Sequence, residues 1–126
     1  MDFKDLIPGG EGKLRIIQEL VPGKQITLAH VIASPDPIMY QKLGLNPALD
    51  FTGSAIGILT VSPAETAIIA ADIATKSGNI DLSFVDRFSG TLIITGLIAD
   101  VESALKAICD YASQRLGFSI CELSRT

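Results

Sequence analysis

Between Ser62 and Ile98 the chain leaves little freedom in how it can fold. The run Ala70-Ala71-Asp72-Ile73-Ala74-Thr75-Lys76-Ser77-Gly78 reads as a helix of small residues with a lysine near its end. Ser62-Pro63-Ala64-Glu65 is a strong helix start, with Ser62 as N-cap, Pro63 at the first helical position and Glu65 closing a capping box. Gly78 is expected to end the helix in the left-handed conformation. From Asn79 to Val85 the pattern switches to alternation, Ile80, Leu82 and Phe84 on one face against Asp81 and Ser83 on the other. Thr91–Ile98 is the expected hairpin partner, across a turn near Phe88-Ser89-Gly90. A helix this rich in alanine approaches closely to a sheet or to a neighbouring subunit.

The flanking segments complete a fold class. Residues 1–13, with Pro8-Gly9-Gly10-Glu11-Gly12, read as a flexible arm. Leu14–Val21 is a strand candidate closed by Pro22-Gly23, and neither of its faces is cleanly polar. Gln25–Ile32 is a further strand, with Ile26, Leu28, His30 and Ile32 on one face by period two. Ser34-Pro35-Asp36-Pro37 stops it and opens a short helix through Leu43, ended by Gly44. Leu45–Gly53 reads as a loop and Ser54–Val61 as a strand. Asp100 is the expected cap of a last helix whose stripe is Val101, Ala104, Leu105, Ile108 and Ala112. From Ser54 the order is β-α-β-β-α, an α+β arrangement that lacks one strand of a ferredoxin-like sheet. Two segments compete for that place: the tail after Gly117, and Gln25–Ile32.

Composition narrows the function. At 126 residues the chain is expected to be one domain. A hydrophobic content of 48% is high for this length, yet no apolar run approaches the ~20 residues that span a bilayer. Met1-Asp2-Phe3-Lys4-Asp5 does not resemble a secretory leader. The excess apolar surface therefore points to burial between subunits, in a homo-oligomer and not in a membrane. A net charge of −4 and the lack of a basic, aromatic-interleaved patch argue against nucleic acid.

Motifs that carry chemistry are weak. Ser103-Ala104-Leu105-Lys106 matches a Ser-x-x-Lys pattern of acyl-transfer enzymes, but its usual companion motifs are missing. Gly9-Gly10-Glu11-Gly12 has no preceding strand and no Gly-Lys-Ser/Thr. His30, the single histidine, shares its face with aliphatic residues and reads as structural. One histidine makes a metal site improbable, and Cys109 and Cys121 lack metal-site spacing. Both read as reduced thiols, and the spacing leaves a disulfide between them open. No catalytic residue, metal or cofactor is expected. Asp72 and Lys76 stand i,i+4 on one helix, either as a plain surface ion pair or with Lys76 at a subunit edge. Asp86-Arg87 is either a solvated hairpin tip or, in a ring, the lining of a central opening.

From about Ile16 to Thr126 the chain resembles the circularly permuted shell proteins of bacterial microcompartments, of the kind encoded with ethanolamine and propanediol utilisation. The matching residues include Ile17-Gln18-Glu19, Val21-Pro22-Gly23-Lys24-Gln25, Thr27-Leu28-Ala29-His30, Gly57-Ile58-Leu59-Thr60, Lys76-Ser77-Gly78, Asp86-Arg87-Phe88-Ser89-Gly90 and Ser124-Arg125-Thr126. The resemblance implies a permuted shell domain over residues 23–126, with Gln25–Ile32 as the missing sheet strand. It implies a homohexamer that tiles a cytoplasmic shell with other shell proteins. Arg87, Phe88, Ser89 and Gly90 would line the pore and Lys76 would sit at the hexamer edge. Residues 14–22 would join their symmetry mates in a β-barrel capping the pore, with Leu14, Ile16, Gln18 and Leu20, or the opposite set, filling it. The barrel's outer face would be a docking place for a targeting peptide of an enclosed enzyme.

In one respect the chain departs from the non-permuted relatives. They carry an arginine after the strand matching Gln25–Ile32, where this chain reads Ser34-Pro35-Asp36, so more of the edge contact falls to Lys76. The competing expectation is a small ferredoxin-like regulatory or ligand-binding module. Such a module would be a dimer or trimer answering to a metabolite; a shell subunit would be a hexamer that forms sheets.

Overall fold

A computed structural model describes residues 23–45 and 54–126. The arm over residues 1–13, the strand over 14–22 with Leu14, Ile16, Gln18 and Leu20, and all of the Leu45–Gly53 loop beyond Leu45 lie outside the described residues. The elements are β1 (Gln25–Ile32), α1 (Ile38–Lys42), β2 (Ala55–Ser62), α2 (Thr66–Ser77), β3 (Ile80–Asp86), β4 (Thr91–Gly96), α3 (Ile98–Arg115) and β5 (Ser124–Arg125). They form one five-stranded sheet in the order β3-β4-β2-β1-β5. Only β5 is parallel to its neighbour.

The contest for the missing strand resolves in favour of β1, which pairs antiparallel with β2 from Gln25↔Ser62 to Ile32↔Ile56. The tail then adds to the outer edge of β1. It does so through a bridge at Ser119 and two residues of β5, not through a strand over Phe118–Leu123.

α2 and α3 cover one face of the sheet. Ala67, Ala70, Ala71 and Ala74 of α2 are buried against it, as are Val101, Ala104, Leu105, Ile108 and Ala112 of α3. Leu59, Leu92 and Ile94 answer from the strands. Each full burial of such an aliphatic side chain contributes about 1.5–3 kcal/mol. The other face carries a smaller cluster of Tyr40, Leu45 and Ile56 beneath α1, and the Tyr40 hydroxyl donates to the Ser54 carbonyl at 2.6 Å.

Bulges upset the simple alternation in two strands. Between Ile26 and Leu28 the register of β1 shifts, so Ile26, Ala29 and Val31 are buried beneath the helices. Leu28, His30 and Ile32 therefore leave the face of Ile26. A shift between Leu82 and Phe84 likewise puts Ile80 and Val85 on the core, with Phe84 on the opposite face and 45% exposed. An extra residue inverts every later side chain of a strand.

Three expected caps differ. Ser62 is not an N-cap: it is still in the ladder opposite Gln25, so α2 starts later, at Thr66. Its first turn is tightened by backbone bonds from Thr66 to Pro63, Ala67 to Ala64 and Ile68 to Glu65, and Glu65 makes no side-chain cap. These i→i+3 bonds give the first amides of α2 backbone acceptors in place of a side-chain cap. Gly78 ends α2 in extended backbone, φ 178°, not left-handed, because β3 follows at once. Asp100 lies inside the first turn of α3, behind an extended Leu97 at the cap position.

Candidate functional site

The β3–β4 turn is an exposed feature held by several hydrogen bonds. Asp86 organises it. Its Oδ1 accepts the Phe88 N–H at 2.8 Å and its Oδ2 accepts the Ser89 hydroxyl at 2.8 Å. The Ser89 oxygen also lies 3.1 Å from Thr91 Oγ1. The Gly90 N–H donates to the Asp86 carbonyl at 2.8 Å, and the Gly90 carbonyl accepts from Val61 at 2.9 Å. The turn is thus closed on itself and anchored to the end of β2.

Gly90 makes the anchoring possible. Its φ is +79°, and a Cβ there would stand 2.3 Å from the Val61 carbonyl oxygen. Phe88, held at the tip by Asp86, is 81% exposed. The Arg87 guanidinium lies 4.9 Å from the centre of the Phe88 ring, a contact worth about 0.5–1 kcal/mol at an exposed position. The tip therefore presents a cation and an aromatic ring as one unit. Beside it runs a shallow groove of about 350 Å³ lined by Ile68, Val85, Asp86, Arg87 and Phe88.

The hydrogen bond from the Phe88 N–H, followed by that from Ser89, holds the Asp86 carboxyl below its usual 3.8. A depressed carboxylate contributes stability that is fully present above the ordinary value and is lost as pH falls through the depressed one. The turn is expected to loosen only in that acidic window, seen as faster amide exchange at Phe88 and Gly90. Asp86→Asn should abolish the pH dependence; a turn that loosens equally in that variant would exclude Asp86 as its cause.

Lys76 occupies the last turn of α2, where a cation complements the helix dipole. Its ammonium is 2.7 Å from Asp72 Oδ2, and both side chains are exposed. The hydrogen bond and charge of Asp72 hold the lysine above its ordinary pKa. Lys76 and the 87–90 turn are thus separate surface features, one at the end of α2 and one between β3 and β4.

The other candidates are occupied structurally. The two ring nitrogens of His30 face the Ser124 and Thr126 hydroxyls, so the histidine ties the tail to β1. Ser103 is exposed, and Lys106 pairs with Asp110 at 3.3 Å. Among the described residues no group of three His, Cys, Asp or Glu side chains is placed to hold a metal ion. No helix there is long and apolar enough to cross a membrane. Sequence reasoning missed the organising role of Asp86. An aspartate two residues before a main-chain donor and three before a serine is the signal of such a turn.

Residues 55–122 match the model of the BMC domain, and with the sheet, the two-helix layer and the glycine-anchored turn this defines the class: the chain belongs to the BMC-domain family of bacterial microcompartment shell proteins. The bacterial microcompartment shell protein PduU of Salmonella typhimurium is 50% identical over 112 residues, 89% of this chain and 93% of that protein. The shell protein CutR of Streptococcus intermedius is 53% identical over 116 residues, 91% of this chain and 96% of that protein. A solved flat hexamer of CutR has a TM-score of 0.76 at 49% identity, covering 84% of this chain and 94% of that one.

Proposed function

We propose that this shell protein acts as a structural and gating tile: six copies close into a ring, and rings join edge to edge and with other shell proteins in the wall. The observation that carries this reading is the rigid 87–90 turn, whose tip leaves an aromatic ring almost wholly exposed in the single chain. Ile68, Ile69 and Leu97 are further large apolar side chains without cover. Head-to-tail contacts that close a ring bury such surface, which is otherwise unfavourable in water. The likeness to the flat CutR hexamer supports the ring.

In that ring Arg87, Phe88, Ser89 and Gly90 surround the axis and Lys76 faces the neighbouring ring. The domain is circularly permuted. The family match begins at Ala55, while β1 and α1, which precede it in the chain, are integral to the same sheet and its second cluster. Residues 14–22 pair with their five symmetry mates as a β-barrel over the opening. A six-stranded barrel has no lumen beyond its own side chains, so Leu14, Ile16, Gln18 and Leu20, or the alternate set, occlude the pore. The outer barrel face receives a targeting peptide. The subunit performs no catalysis in this reading: both ring nitrogens of His30 are taken up by the Ser124 and Thr126 hydroxyls, which tie the tail to β1.

Native mass spectrometry is expected to give six copies, and deletion of residues 1–22 to leave that mass unchanged while raising small-solute conductance across a bilayer. A monomer at micromolar concentration would end the ring. Equal conductance of the full and shortened proteins would end the barrel plug alone.

A further inference from the structure

The C-terminal tail is pinned to the body at two points that bracket a cysteine. Near its start the Phe118 N–H donates to the Ala112 carbonyl at 3.0 Å. Near its end Arg125 meets Glu102 at 3.3 Å. These partners lie in reverse order along α3, so the tail runs antiparallel to the helix. Glu102 and Ala112 are separated by about 15 Å along the axis. Cys121, three of the seven steps from Phe118 to Arg125, therefore comes level with the turn that carries Ile108 and Cys109.

Both sulfurs also belong to the same apolar surroundings. Cys109 is buried in the main core cluster and Cys121 packs against that cluster half-buried, and both thiols are free. We propose that Cys109 and Cys121 are a dithiol pair that a small-molecule disulfide, such as oxidised glutathione, converts to an internal disulfide latching the tail onto α3. The latch would make covalent a strap that hydrogen bonds, the Arg125–Glu102 ion pair and apolar packing now hold. Ser119 and Thr126 bond the backbone at the two ends of β1, and the His30 ring meets the Ser124 and Thr126 hydroxyls.

The order of events follows from access. The more exposed Cys121 gives up its proton to solvent and its thiolate attacks one sulfur of the reagent, expelling a glutathione thiolate. The mixed disulfide so formed sits beside Cys109, which loses its proton and attacks the Cys121 sulfur. The second glutathione leaves as thiolate, and both leaving groups take up protons. Two protein thiols are oxidised and one reagent disulfide is reduced to two thiols. Burial, with the nearby Cys121 adding to it, pushes the Cys109 thiol up to about 11. The second step is therefore slow at neutrality and quickens as pH rises.

The test uses the full chain with oxidised glutathione, followed by alkylation and peptide mass mapping. The expected product has lost two hydrogen atoms and joins the Cys109 and Cys121 peptides within one chain. Cys109→Ser is expected to stop at glutathione bound to Cys121, and Cys121→Ser to leave Cys109 unmodified in the folded protein. In the oxidised wild type the Ser119 and Thr126 amides should exchange at least tenfold more slowly. A wild-type protein that stops at the mixed disulfide, that links two copies instead, or whose tail amides are unchanged after internal closure overturns the latch.

Discussion

Gly90→Ala is expected to destabilise the fold by about 2–4 kcal/mol, the sum of a positive-φ penalty and an overpacking cost. The first part arises because a φ of +79° suits glycine and few other residues. The second arises because the new methyl would point at the Val61 carbonyl oxygen and come within 3.1 Å of Ala64 Cα. Those atoms are backbone, of the end of β2 and of the turn into α2, so they cannot turn aside as a flexible side chain would. Either the bond from Val61 N–H to the Gly90 carbonyl lengthens or the whole turn lifts. Gly117→Ala is the control: its φ is also positive, +72°, but its missing Cβ faces open space. That variant should lose only about 1 kcal/mol. Urea titration of both separates the clash from the backbone penalty, and equal midpoints would remove the close approach of the turn to β2.

Lys76→Asp is expected to leave the folded ring intact and to abolish its extended sheets or tubes. Within the chain the change sets two aspartates i,i+4 on an exposed helix face, a cost of a few tenths of a kcal/mol. In the proposed wall it would invert a charge at a contact repeated around the whole perimeter. On that proposal Lys76 would carry more of the contact, since Ser34-Pro35-Asp36 offers no arginine after β1. Asp72→Asn keeps the lysine while removing its partner at 2.7 Å, and should still assemble. Electron microscopy of the two variants at matched ring concentration decides the matter: normal arrays from Lys76→Asp would reduce Lys76 to a surface charge.

The sequence by itself determined whatever depends on neighbours along the chain. The alternation of Gln25–Ile32, the stripe from Val101 to Ala112 and the break at Gly117 marked β1, α3 and its end, because period and turn residues are local properties. The Gly90 turn was legible for the same reason. Its resemblance to a shell-protein hairpin also pointed to the family before any packing was known. The tertiary structure decided what depends on partners distant in sequence. It chose β1 over the tail as the neighbour of β2. It placed bulges within Ile26–Leu28 and Leu82–Phe84, reversing the faces that simple alternation assigns. It also kept Ser62 in the ladder opposite Gln25, which cancelled a capping box complete in its residues. A ladder hydrogen bond and a cap compete for one stretch of backbone, and only the position of the facing strand says which of them forms.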